Sequence, residues 1–127
     1  MSARRGFSLV ETMVAIALMA IIVVTILSAF SATTLAAARH QQETTLDRLT
    51  RSEAEYIKSQ VYSAAGNYLN LTATGYTFSY QVLRYSALTN PPNFQAGNPD
   101  VGLQEIVLTV RGPNASSELL IFMKELP

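Results

Sequence analysis

Residues 4–30 read RRGFSLVETMVAIALMAIIVVTILSAF, and this stretch decides how the rest of the chain is understood. Two arginines lead into a glycine and a phenylalanine, and no charged residue occurs from Thr12 to Ala38. As a helix, that charge-free run would be about 40 Å long at ~1.5 Å per residue, more than the ~30 Å hydrocarbon core of a bilayer. It is a membrane-spanning candidate. A single carboxylate, Glu11, stands at its mouth. An acid at a bilayer centre costs about 2.5–3.5 kcal/mol on insertion scales, and less near the interface, so its presence there needs a reason.

Length and composition narrow the choices. The 127 residues suit one domain plus at most an appended segment. Hydrophobic residues make up 49% and charged residues only 14%, because the apolar run carries no charge. A formal net charge of zero gives no nucleic-acid footprint. With no cysteine, disulfides, thiolate metal sites and cysteine nucleophiles are all absent. A cleaved secretory signal would have a basic start, an apolar stretch of about 7–15 residues and a small-residue cleavage site. Arg4, Arg5 and the segment SAFSA imitate its two ends, but the run is too long and the acid is out of place. An ordinary single-span anchor fits the length, and reduces Glu11 to a side chain snorkelling toward the head groups.

The hexapeptide G-F-S-L-V-E at Gly6–Glu11 resembles the class III signal of type IV pilins and type II secretion pseudopilins. The resemblance covers about the first third of the chain. In that family a prepilin peptidase cuts on the cytoplasmic side after the glycine. The new first residue, usually phenylalanine, is N-methylated, and the fifth mature residue is glutamate. The resemblance therefore implies cleavage between Gly6 and Phe7, methylation of Phe7, and an assembly role for Glu11. Elementary chemistry agrees. The missing side chain at Gly6 lets a protease approach the backbone, and cleavage leaves the apolar helix in the membrane with a new amino group. Glu11 falls in the first turns of the helix, where the dipole favours negative charge. The rest of its cost is offset when it meets the amino terminus of a neighbouring subunit. The implied partners are other pilins or pseudopilins, the prepilin peptidase and the membrane before assembly, with no cofactor.

Beyond the run, QQETTLDRLTRSEAEYIKSQVYSAAGNYL has no proline and carries acids and bases at helical spacing. Leu46, Ile57, Val61, Ala64 and Tyr68 form one stripe, flanked by Leu49 and Ala54. Gly66, Asn67 and Asn70 mark its end. The reading is one helix from Phe7 to about Tyr68, apolar in its first half and amphipathic in its second. YTFSYQVLRY, residues 76–85, alternates as a strand with one apolar face, and LQEIVLTVR, 103–111, places Ile106, Leu108 and Val110 on one face. ELLIFMK, 118–124, is a continuous apolar run, the pattern of a strand buried on both sides. SALTNPPNFQAGNPDVG reads as a long loop. The expected fold is α+β and pilin-like, a long N-terminal helix packed on a small antiparallel sheet. The expected organisation is a leader at 1–6, a transmembrane and assembly half at 7–38, and an extracytoplasmic unit at 39–127 with its helix over 39–68. About 60 residues of sheet and loop would be marginal alone, so the helix must belong to the core.

Within the resembling family, VETMVAIALMAI is closest in character to minor pseudopilins of the I type or minor pilins of the V type. Major subunits commonly carry a proline near mature position 22, where Ser28 stands here, and many carry paired cysteines. The resemblance implies a structural subunit at the tip or initiation complex of a secretion pseudopilus or pilus. It places the N-terminus in the cytoplasm and the C-terminal unit outside the inner membrane. A second reading is a pilus-tip binding module, an adhesin or DNA-uptake pilin. Asp100 with Asn90, Asn93 and Asn98 matches no calcium-loop spacing and reads as loop chemistry. His40 reads as an interfacial side chain, and N-L-T at Asn70 and N-A-S at Asn114 as turns. No nucleophile, base and oxyanion combination and no phosphate loop emerges, so the chain does not read as an enzyme.

Overall fold

The computed structural model describes residues 8–127. The chain divides after His40 into two compact units. Its helix, α1, runs from Leu9 to Ser59. Neither glycine nor proline occurs between Phe7 and Ala65, so nothing local interrupts the helix. Four strands follow: β1 (Thr77–Ser86), β2 (Asn93–Gln95), β3 (Leu103–Arg111) and β4 (Ser117–Glu125). They form one antiparallel sheet in the order β2-β1-β3-β4. The α+β architecture expected from the sequence, a long helix on a small antiparallel sheet, is the one observed.

The core of the second unit lies between α1 and the inner face of the sheet. Leu46, Thr50, Glu53, Ala54 and Ile57 recur on one helix face and are buried. Ile106, Leu108 and Val110 of β3 are fully buried as their alternation predicts, joined by Phe122 of β4 and Tyr68. Phe78, Tyr80 and Val82 of β1 and Leu120 of β4 pack around them. Beside the buried face of α1, Asp47 accepts the shared Nε–H of Arg51 on its two carboxylate oxygens at 3.0 and 3.1 Å, the favourable i, i+4 pair.

Three expectations need correction. The helix stops at Ser59, about nine residues short of Tyr68. Lys124 on β4 ends it: the ammonium donates to the carbonyls of Ile57, Lys58 and Gln60 at 3.0, 2.9 and 2.7 Å. The Ile57 carbonyl also accepts the Gln60 amide at 3.3 Å, while those of Lys58 and Gln60 are orphan acceptors at the helix C-terminus, where a cation is favoured. Val61 and Ala64 are therefore exposed and off the stripe, while Tyr68 reaches the core through irregular chain. Second, β4 is not buried on both sides. Phe122 and Lys124 face inward, whereas Leu119, Ile121 and Met123 are exposed. These side chains lie on the sheet face turned away from α1, and among the described residues no element packs there. Third, β2 lies inside the segment read as loop. It pairs with Arg84–Ser86, and the rings of Tyr85 and Phe94 sit 5.3 Å apart.

Residues 60–76 have no ladder, so side chains satisfy their backbone. Gln60 donates to the Leu69 carbonyl and accepts from its amide, at 2.8 and 2.7 Å. The Tyr80 hydroxyl does the same for Tyr68, at 2.8 and 2.7 Å. Gln104 donates to the Ser63 carbonyl and accepts from the Tyr68 hydroxyl, both at 2.8 Å. Glu53 accepts the Leu71 amide through Oε2 at 2.8 Å, and its buried Oε1 has no partner. Burial raises the Glu53 carboxyl above its ordinary 4.5, partly opposed by the Leu71 hydrogen bond. Glu118 is raised by burial and then by the charge of Asp47. Burial lowers Lys124 from 10.5.

Two outcomes follow for the full-length protein in detergent, monitored by tyrosine fluorescence during urea unfolding. Lys124→Met should destabilise the second unit by about 1–3 kcal/mol, since it leaves the Lys58 and Gln60 carbonyls without this donor; an unchanged midpoint would rule out the capping role. For Glu53, the folded carboxyl binds its proton more tightly than the unfolded one. Its contribution to stability is therefore smallest above the raised folded value and grows as pH falls through that value toward 4.5. Glu53→Gln should flatten this part of the pH profile, leaving the slope due to Glu118.

Candidate functional site

The first described turns contain the sequence-predicted residue Glu11. Gly6 and Phe7 lie outside the described residues. The carbonyl of Ser8 accepts from the amides of Glu11 and Thr12 at 3.0 and 3.2 Å, and its hydroxyl accepts from the Glu11 amide at 3.2 Å. Ser8 is thus the N-cap, and Ser8-x-x-Glu11 has the spacing of a capping box. That signal stands in the sequence and was not used above. It gives Glu11 a local reason for its position. The acid occupies the first turn, where unpaired amides and the helix dipole favour negative charge. Its side chain is exposed.

The helix that follows buries nothing within the first unit. Leu9, Val10, Met13, Ile16, Met19 and Ile22 are each at least half exposed, as are the large apolar residues through Leu35. α1 is long and apolar enough to cross a membrane. Its hydroxyls fit such a medium. Thr12, Thr25, Ser31, Thr33 and Thr34 each donate to a carbonyl three or four residues back, at 2.8–3.1 Å. A hydroxyl that returns its proton to its own helix leaves no unpaired donor for lipid to meet. From Thr12 to Ala38 the helix thus carries no charge and an apolar surface, with one acid at its start.

The other residues weighed above lie elsewhere. Asp100 accepts from the Tyr62 hydroxyl and from the Gly102 amide. The Tyr62 hydroxyl is pushed up to about 12, by burial first and then by Asp100. Asn98 donates through Nδ2 to the carbonyls of Arg84 and Asn93, closing the segment around β2. The structure thus gives Asp100 and Asn98 parts in closing the loop. Among the described residues, no group of three histidine, cysteine or acidic side chains converges on one point. Asn114 and Ala115, in the β3–β4 connection, both adopt positive φ, at 58° and 59°.

Comparison with known families finds one match. Residues 1–32 fit the prokaryotic N-terminal methylation motif. The matched span contains Gly6, Phe7 and Glu11 and ends within the apolar run. No curated protein and no solved structure matches the chain. The chain carries a prepilin-type N-terminal motif on a membrane-competent helix.

Proposed function

We propose that the chain is a minor pseudopilin or minor pilin, a structural subunit of the tip or initiation complex of a fibre. The observation that carries this reading is the N-terminal motif on a helix whose first half buries nothing and whose second half packs on a four-stranded sheet. A prepilin peptidase cuts between Gly6 and Phe7, and Phe7 is methylated. Before assembly the apolar run spans the inner membrane. Arg4 and Arg5 hold the N-terminus in the cytoplasm, outnumbering Arg39 beyond the run, and the unit from residue 41 lies outside. In the fibre, Glu11 pairs with the amino terminus of a neighbouring subunit. In an apolar medium such a pair favours one axial register, because any other leaves two charges unpaired.

Intact-mass analysis of membrane-extracted protein should show loss of the first six residues and one added methyl, and Gly6→Leu should retain the leader. A mature terminus beyond Phe30 would reject this processing. The assembly role is tested by Glu11→Val. The variant should insert at wild-type levels, since its apolar run is intact. Crosslinking to partner subunits should fall by at least about tenfold, because the neighbour's amino group is left uncompensated. Wild-type crosslinking would leave Glu11 as a cap and span-end residue.

A further inference from the structure

The sheet has one covered edge and one bare edge. In an antiparallel ladder, alternate residues turn their amide and carbonyl toward one neighbour or the other. The Leu126 amide donates to the Gly102 carbonyl at 2.8 Å. With the β3–β4 register, this directs the backbone of Glu118, Leu120, Phe122 and Lys124 to β3. The amides and carbonyls of Leu119, Ile121 and Met123 point away from the sheet, and among the described residues none has a hydrogen-bond partner. The opposite edge differs. There the Phe78 carbonyl accepts from Asn70, the Arg84 carbonyl accepts from Asn98, β2 pairs with Arg84–Ser86, and Gly66 lies against Val82.

The inner row of β4 is mixed, with Leu120 and Phe122 at the core between two charged residues. Glu118 and Lys124 face inward, while Leu119, Ile121 and Met123 face outward at 59%, 52% and 47% exposure. Sheets usually blunt an edge by shortness, proline, a bulge, outward charges or an inward-pointing charge. β4 is nine residues long and pairs without a break from Ser117 to Glu125, and of its inward charges Lys124 is engaged by the α1 carbonyls while the outward row from Leu119 to Met123 carries none. At one end of the outer face stand Glu105 and Glu125, and at the other stands Arg111.

We propose that β4 receives an antiparallel strand from a partner protein. The segment is extended, has apolar residues at alternate positions, and carries a basic residue beside Glu125 and Glu105. The free amides and carbonyls select a strand, the outward apolar row selects the alternation, and the two carboxylates select the basic end. A second copy fits poorly. The outward row of β4, Ser117, Leu119, Ile121, Met123 and Glu125, holds no basic side chain to meet Glu125 in an antiparallel β4–β4 pair.

The test uses a fluorescent nine-residue peptide alternating valine and threonine, with lysine at its amino end, titrated into full-length protein in detergent. Anisotropy should rise and saturate. Ile121→Pro removes an outward amide and leaves the β3 ladder intact, so it should weaken binding by at least about tenfold. N-methylation of the peptide amides that face β4 should do the same with unaltered protein, so the result does not depend on the proline variant folding. No saturable rise would overturn the proposal, as would equal binding of the methylated peptide. So would a dimer, seen by light scattering, that Ile121→Pro dissolves, since it would make a second copy the occupant. None of these readouts depends on leader cleavage or fibre assembly, so failure here is distinct from failure of the pilin reading.

Discussion

The ammonium of Lys124 holds three carbonyl oxygens at the end of α1, and the course of the chain from residue 60 onward depends on that contact. A helix end leaves its last carbonyls without donors, and the common remedy is a glycine just beyond the terminus. Here the first glycine after the helix is Gly66, too late to serve. A charged donor from the last strand takes its place. Burying an ammonium is costly, which is why its proton affinity is lowered. The cost is offset by three charge-assisted hydrogen bonds, the negative end of the helix dipole and the Tyr68 ring 5.2 Å away. Once α1 is stopped there, the following residues have no ladder, and Gln60, Tyr80, Gln104 and Glu53 must satisfy them individually.

The same requirement, that no polar group be left unpaired, takes another form in the first unit. Its helix has no sheet to pack on, and in lipid apolar exposure carries no penalty, whereas a bare hydroxyl does. Each hydroxyl bonded to a carbonyl one turn back meets that demand locally. Glu11 is the exception within this uniform surface. Its backbone is held by Ser8, and its carboxylate stands where the helix N-terminus offsets part of the charge. The remaining charge is what the proposed pairing with a neighbouring amino terminus would offset.

Where local pattern and tertiary structure agree, the fold was legible in the sequence. The unbroken helix follows from the absence of glycine and proline, and β1 and β3 follow from strict alternation. The sequence failed where the deciding residue is distant. The helix terminator lies in β4, more than sixty positions from the carbonyls it binds, and no window around residue 59 contains it. β2 is three residues long, and Asn98 and the Tyr85–Phe94 contact fix it where no periodicity could show. At the candidate site, Glu11 was legible through its motif, while the capping role of Ser8 was equally plain and was passed over.

β4 misled for a more instructive reason. An unbroken apolar run implies burial on both faces only if its inward residues are the apolar ones. In β4 the two ends of the inner row are charged, and at one of them the charge meets a polar demand of α1. Lys124 caps the helix carbonyls, and Glu118 lies against Asp47, Thr50 and Arg51. Placing those charges inside fixes the register, and the pleat then turns Leu119, Ile121 and Met123 outward. A slip by one residue would bury that apolar row but would break the Lys124 cap. The exposed row is therefore enforced by the helix end. Since alternate residues serve the two faces, changes on the outer row can alter what binds the edge without disturbing how the strand holds α1.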